Sequence, residues 1–247
     1  MSANRLVPLD LSDDPTDGGW LPSQDLLWIS AGPPRPGWWA ALRARHPGTG
    51  WWPLLLGGLS AGDPERPWIE AGDLRPEQIR SRPGDHYPGV LLGRWWASAG
   101  GSEGWSGLAR RGESGTDPDE HAAATADLLL AEGVLVAPRL GLVRSARGAD
   151  TLTDAAWTGP TNHEGDTARI SCVVRNWEER FGARVVGVGF DTLHLSVAAP
   201  PTGFDHAREV AAEHLAFCPD NVWQGCGSLD DYAESLVGTP TWSFWWD

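Results

Sequence analysis

His214 and Cys218 stand four residues apart, so on a helix both side chains share one face, and Cys226 follows eight residues later. An imidazole and two thiols within thirteen residues are three of the four ligands that a tetrahedral zinc site takes. No second Cys-x-x-Cys or His-x-x-x-His accompanies them, and a fourth ligand would have to come from Asp220 or a distant histidine. The stripe Ala207, Val210, Ala211, His214, Leu215, Cys218 has the three-four spacing of a core-facing helix side. The favoured expectation is therefore a packed thiol beside a hydrogen-bonded histidine, with no metal favoured. Cys218 and His214 are also the types of a thiol nucleophile and its base. Cys218, however, falls at the C-terminal end of its helix, where the helix dipole opposes a thiolate.

Two further groups could do acid/base work. Asp191, His194 and Asp205 are expected near one sheet edge, and His163, Glu164 and Asp166 precede a helix. Turn and cap chemistry competes for each: Asp191 turns a hairpin, Thr202 with Asp205 makes a capping box, and Asp166 caps the helix after it. After Pro219, the turn 219–225 holds Asp220, Asn221 and Trp223, and function is expected there more than at the thiol. The candidate binding residues are thus Asp191, His194, His214, Asp220, Asn221 and Trp223. No P-loop, no Gly-x-Gly-x-x-Gly after a strand, no Gly-x-Ser-x-Gly and no His-Glu-x-x-His is present, and no cofactor is expected.

The elements that must position these residues follow from periodicity and punctuation. Residues 1–24 read as a polar, loosely ordered arm. Strand 25–30, a helix over 36–46 ended by Pro47-Gly48, and strand 51–56 make a crossover unit, with Pro53 marking an edge or a strand start. A helix is expected over 88–97. Residues 99–118 have linker composition and set the internal boundary between a Trp-rich α/β region, 25–118, and a C-terminal α+β domain, 119–247. A helix over 119–132 opens that domain. From about 138 the order is strand, helix, strand, strand, helix, short helix, strand, which reads as a ferredoxin-like split β-α-β sandwich with its helices on one face of an antiparallel sheet. The opposite face, with Gly187, Gly189, His194 and Ser196, is then an open site or a seat for the N-terminal half.

Composition narrows the function classes. The net charge is −14, which disfavours nucleic acid and anionic membranes as partners. All 19 basic residues are arginine, read as the mark of a GC-rich bacterial genome. Three cysteines in 247 residues do not form a disulfide framework, and no signal peptide or membrane-length apolar run is seen, so a cytoplasmic setting is expected. Sixteen tryptophans include the pairs Trp38-Trp39, Trp51-Trp52, Trp95-Trp96 and Trp245-Trp246. Adjacent rings on a strand or helix point to different sides, so these pairs suggest two packed layers or an aromatic surface for a partner.

The run from Asn176-Trp-Glu-Glu-Arg-Phe-Gly through Ala198, the run Ala211-Ala-Glu-His-Leu-Ala-Phe-Cys-Pro-Asp-Asn-Val-Trp-Gln-Gly, and the ending Trp242-Ser-Phe-Trp-Trp-Asp resemble a bacterial family, domain of unknown function 4253. The resemblance implies a domain over about 138–247 and carries over no catalytic residue. Two functional expectations stand. The first is a non-catalytic, cytoplasmic protein-binding module of inhibitor or immunity type whose partner has a basic surface. The alternative is a small-molecule-binding protein or hydrolase-type enzyme with a site between the two halves near His194, His214 and Trp223.

Overall fold

In Thr192–Val197 (β6) and Thr241–Trp245 (β7), apolar and polar side chains alternate, and the antiparallel register pairs Leu193 with Phe244, His194 with Ser243 and Leu195 with Trp242. One face of this pair is therefore wholly apolar. It meets the buried rings of Thr167–Phe181 (α5) and Phe204–Phe217 (α6): Trp177 stacks on Phe244 at 5.4 Å, and Phe217 meets the same ring edge-on at 4.9 Å. The computed structural model describes residues 18–21, 24–63, 66, 68, 74–101, 104–113 and 115–247, with the side chains of 18–21 and 24–25 left aside. Most of the expected N-terminal arm lies outside the described residues, but Gly18–Leu21 is a strand, β1, and not loosely ordered chain.

Among the described residues, seven strands form one mixed sheet. Gln24–Ser30 (β2), Trp51–Leu56 (β3), Arg139–Arg144 (β4) and Ala183–Val188 (β5) complete it, in the order β1-β2-β4-β3-β5-β6-β7. All neighbours are antiparallel except β3 and β5, which pair in parallel at Leu55–Gly187 and Leu56–Val188. The chain order expected for residues 138–247 is present, but the ferredoxin-like arrangement is not. A strand from the first half, β3, occupies the place between β4 and β5, and β4 runs antiparallel to β5. The cause lies in β3 itself. Leu54, Leu55 and Leu56 form a continuous apolar run, which is stable only when covered on both faces and paired on both edges. Pro53 does not mark an edge: pairing with β5 is confined to Leu55 and Leu56, and the Val185 carbonyl accepts the Trp52 indole N–H at 3.1 Å instead.

Helices cover both faces, not one. Trp38–Thr49 (α1) packs on β3, Pro118–Ala131 (α3) packs on β5 and β6, and the short Thr151–Asp154 (α4) packs on β4 and α5. Arg184, which shares a sheet face with Ser196 and His194, reaches Asp119 of α3 at 2.8 Å, so α3 covers the face that carries Gly187 and His194. His194 and Ser196 are buried beneath it. The N-terminal cover was expected, but it comes mainly from α3. Helix α1 also runs on through Pro47 to Thr49 and ends at Gly50, whose left-handed φ of 71° closes it. Three of the four Trp pairs divide as a two-layer fold requires, with Trp39, Trp52 and Trp246 buried and Trp38, Trp51 and Trp245 more exposed. The fourth pair, Trp95 and Trp96 on Pro88–Ser98 (α2), is buried on both sides, Trp96 against Trp105 at 5.9 Å.

Residues 105–113 do not behave as a linker. They are tied across α5 and α6 by the carboxylate of Glu213, which is fully buried in α6. It accepts the Ala109 backbone N–H at 2.6 Å, the Trp177 indole N–H at 2.7 Å and Arg180 Nη2 at 2.5 Å. Arg180 also donates to the Ala109 carbonyl at 2.6 Å. Gly112 passes Ala199 so closely that an added Cβ would lie 2.0 Å from its carbonyl oxygen. Helix α6 starts at Gly203 without a side-chain cap, so the expected Thr202–Asp205 box is not formed; Asp166 does cap α5, accepting from Ala168 N.

Replacing Glu213 with Ala would leave Arg180 and the Trp177 indole buried without their acceptor. We expect a loss of about 3–5 kcal/mol of folding stability, read by urea unfolding, against a small loss for the exposed Glu209→Ala.

Candidate functional site

Helix α6 ends at Phe217, and the chain turns through Pro219 into a wide π-helical turn, Asn221–Cys226, closed by Gly227 at φ 81°. This brings Asn221 alongside the outer edge of β7. Its Oδ1 accepts the Trp245 N–H at 3.1 Å and its Nδ2 donates to the Ser243 carbonyl at 2.6 Å. In a strand, residues 243 and 245 turn their backbone groups to the same edge, so one side-chain amide satisfies the positions a further strand would occupy. Asn221 is an edge cap.

Asn221 Nδ2 also donates to the Tyr232 hydroxyl at 3.2 Å, which leaves that O–H to donate to His214 Nδ1 at 3.0 Å. Tyr232 belongs to Leu229–Leu236 (α7). His214 is fully buried and ringed by Trp242 at 4.5 Å, Phe244 at 4.8 Å and Trp177 at 5.1 Å; its Nε2 has no hydrogen-bond partner among the described residues. Burial, with the charge of Arg180 adding to it, pushes the His214 pKa down to about 3. The unfolded imidazole takes up a proton below about 6.5 while the folded one stays neutral to about 3, so this burial costs stability as pH falls through that window.

The thiol next to it is a structural group as well. Cys218 donates to the Trp245 carbonyl at 2.9 Å and to Asn221 Oδ1 at 3.3 Å, and burial raises its pKa to about 12. Cys226 is exposed, and among the described residues no group of three His, Cys, Asp or Glu side chains is placed to hold a metal ion.

The other expected site residues are scattered. His194 lies on the opposite sheet face, its Nδ1 3.0 Å from Ser243 Oγ, with a pKa lowered by burial to about 4. Trp223 is half exposed and donates to the Ala99 carbonyl at 3.0 Å. Asp205 lines a shallow cleft with Arg208 and Glu209 and does not join Asp191 and His194. Asp220 accepts the Asp247 N–H at 3.1 Å and Gln224 Nε2 at 2.9 Å. Glu164 accepts from Asp166 N and pairs with Arg169, and Asp166 caps α5, so these two carboxylates do turn and cap work, while His163 packs on Trp95 at 5.2 Å.

Asp191 alone of the expected residues lines the polar cleft at the C-terminal ends of the parallel strands β3 and β5. Crevices at such strand ends are frequent ligand sites in α/β sheets. The cleft, of about 380 Å³, is walled by Phe190 and Asp191 after β5, by Thr158, Thr161 and Asn162, by Trp246 and Asp247, and by Arg66 and Arg75. Its walls are fixed in place. Trp157 donates to the Gly189 carbonyl at 2.8 Å and packs on Trp246; Asn162 Nδ2 donates to the Asp247 carbonyl at 2.9 Å. Arg66 stands over the Phe190 ring at 5.5 Å, and the Arg75 N–H binds the Ala156 carbonyl. Two guanidinium and two carboxylate side chains thus share one rim. Arg66, Arg75 and Asn162 carry no sequence motif; the Thr-Gly-Pro-Thr-Asn run at 158–162 was the signal available, as a turn cluster beside a buried Trp.

Residues 139–247 are similar to the family described as Domain of unknown function (DUF4253). This stretch contributes seven of the nine lining residues named above. No curated protein and no solved structure matches the chain.

Asn221→Ala would uncover the Ser243 carbonyl and Trp245 N–H on the edge of β7. The expected loss is about 1–3 kcal/mol by urea unfolding, together with stronger concentration-dependent association in sedimentation velocity than the wild type shows.

Proposed function

We propose that the protein is a non-catalytic binding module of inhibitor or immunity type, acting on a protein partner with a basic surface. The observation that carries this reading is Trp245. Its ring is 38 % exposed, yet its indole N–H is fixed to Asp191 Oδ2 at 3.1 Å and its backbone is clamped by Asn221. An exposed indole already held in one orientation loses little entropy on binding, and Trp is favoured at interface hot spots. The carboxylate at its side and a net charge of −14 suit a cationic partner. The side chains that could have served catalysis in α6 and β6, His214, Cys218 and His194, are all spent as neutral core groups.

The proposal sets the protein in a bacterial cytoplasm, where its three free cysteines stay as thiols. No helix among the described residues is long and apolar enough to cross a membrane. The second reading, a small-molecule binder, is favoured by the cleft that Asp191 lines; His194, His214 and Trp223 do not line it.

Affinity capture from native lysate with the full-length protein tests the first reading. A stoichiometric, basic partner is expected, lost tenfold or more with Trp245→Ala and weakened at 0.5 M salt. Absence of such a partner, or capture indifferent to both changes, would contradict it.

A further inference from the structure

At the opposite end of β3 and β5 lies a second cavity, of about 260 Å³, with a different lining. Three arginines from three separate elements wall it: Arg43 from α1, Arg147 from the loop after β4, and Arg184 from β5. His46 and the Trp52 ring form the inner wall. Ala146, the buried Glu178 that pairs with Arg147, and Gly148 complete it, Gly148 at a point where a Cβ would lie 2.6 Å from the Trp52 ring.

The guanidinium groups are held but not used up. Each carries five N–H donors in a planar fork. Asp119 takes Arg184 Nε at 2.8 Å and Arg43 Nη2 at 2.8 Å. Arg184 Nη1 goes to the Ala183 carbonyl at 2.9 Å. Arg147 is turned toward Glu178, at 2.6 Å, and Glu179. Among the described residues this leaves Arg184 Nη2, Arg43 Nη1 and Arg43 Nε without acceptors. Arg43 Nε is buried, and its guanidinium carbon stands over the Trp52 ring at 4.4 Å from the centroid, a cation–π contact that, with the Asp119 bond, holds the group in place. His46 is fixed as well, its Nε2–H donating to the Ser145 carbonyl at 2.8 Å. The cavity opens to solvent past the exposed Ala146 and the partly exposed Arg147.

Unspent, pre-oriented guanidinium donors facing a small cavity are what a compact oxyanion requires: two acceptor oxygens on one centre, matched to parallel N–H groups. The acidity of the molecule as a whole gives no general attraction for anions, so retention there would come from the local forks. We propose that this arginine-walled cavity is a binding site for a small oxyanion, a phosphate or carboxylate group borne by a small molecule. The site is separate from the Asp191 cleft and does not depend on the partner-binding reading.

Isothermal titration of the full-length protein with inorganic phosphate, and separately with malonate, at ionic strength held constant with sodium chloride, tests it. One-to-one saturable binding of at least one anion is expected, weakened at least tenfold by Arg43→Lys and by Arg184→Lys, which keep the charge and lose the fork. Phosphate alone points to a phosphate ester, malonate alone to a carboxylate, and both to the shared group. In the wild type, phenylglyoxal modification of Arg147, followed by mass spectrometry, should slow in the presence of the anion that binds. This readout stands even if a variant fails to fold. No saturable binding of either anion, or binding of equal strength in both folded variants with Arg147 unprotected, overturns the proposal.

Discussion

The Glu213 carboxylate is the interaction on which the C-terminal half depends. A carboxylate with no exposure is costly unless every lone pair finds a donor, and here the donors come from two directions: Trp177 and Arg180 of α5, and the backbone of Ala109. Meeting that demand fixes α5 against α6 and straps residues 105–113 across both. It also fixes the Trp177 ring, whose faces and edges meet Phe244, Trp242, Phe217 and His214. The aromatic cluster beneath β7 is therefore aligned by a polar contact, and the apolar area then supplies the bulk of the stability.

From that cluster the constraint passes outward to the surface. His214 completes the cage and receives the Tyr232 hydroxyl; Tyr232 and Cys218 both meet Asn221; Asn221 closes the edge of β7 and holds Trp245. Each member satisfies the next, so the types that suggested chemistry are consumed in connecting core to edge. Two openings lie at the two ends of the parallel β3–β5 pair: the cleft lined by Asp191 at one end, and the cavity walled by Arg43, Arg147 and Arg184 at the other.

Element positions were legible from sequence because they depend on local signals. The three-four spacing of Ile170, Val173, Val174, Trp177 and Phe181, the stop at Gly182, and the alternation in 192–197 each point to one local structure. Strand neighbours were not legible. Nothing local in Trp51–Leu56 says that it inserts between β4 and β5, and the chain order of the last strands matches a smaller sandwich equally well. The stripe containing His214 and Cys218 was readable as core-facing, since periodicity reports burial. The roles of Glu213 and Asn221 escaped. A glutamate beside alanines looks like a solvated helix residue until its donors, which are more than thirty residues away for Trp177 and Arg180, are known to converge. Asn221 after Pro219-Asp220 looks like a turn residue, which it is, while its edge-capping role needs β7 in place.

The His214 region thus forms a buried structural network that joins the core to the edge of β7. Titrating the His214 imidazole by nitrogen-15 NMR in the folded protein tests this most directly. A single neutral tautomer is expected from pH 8 to pH 4, with protonation deferred toward about 3. A titration midpoint within about one unit of the ordinary histidine value, near 6.5, would contradict it.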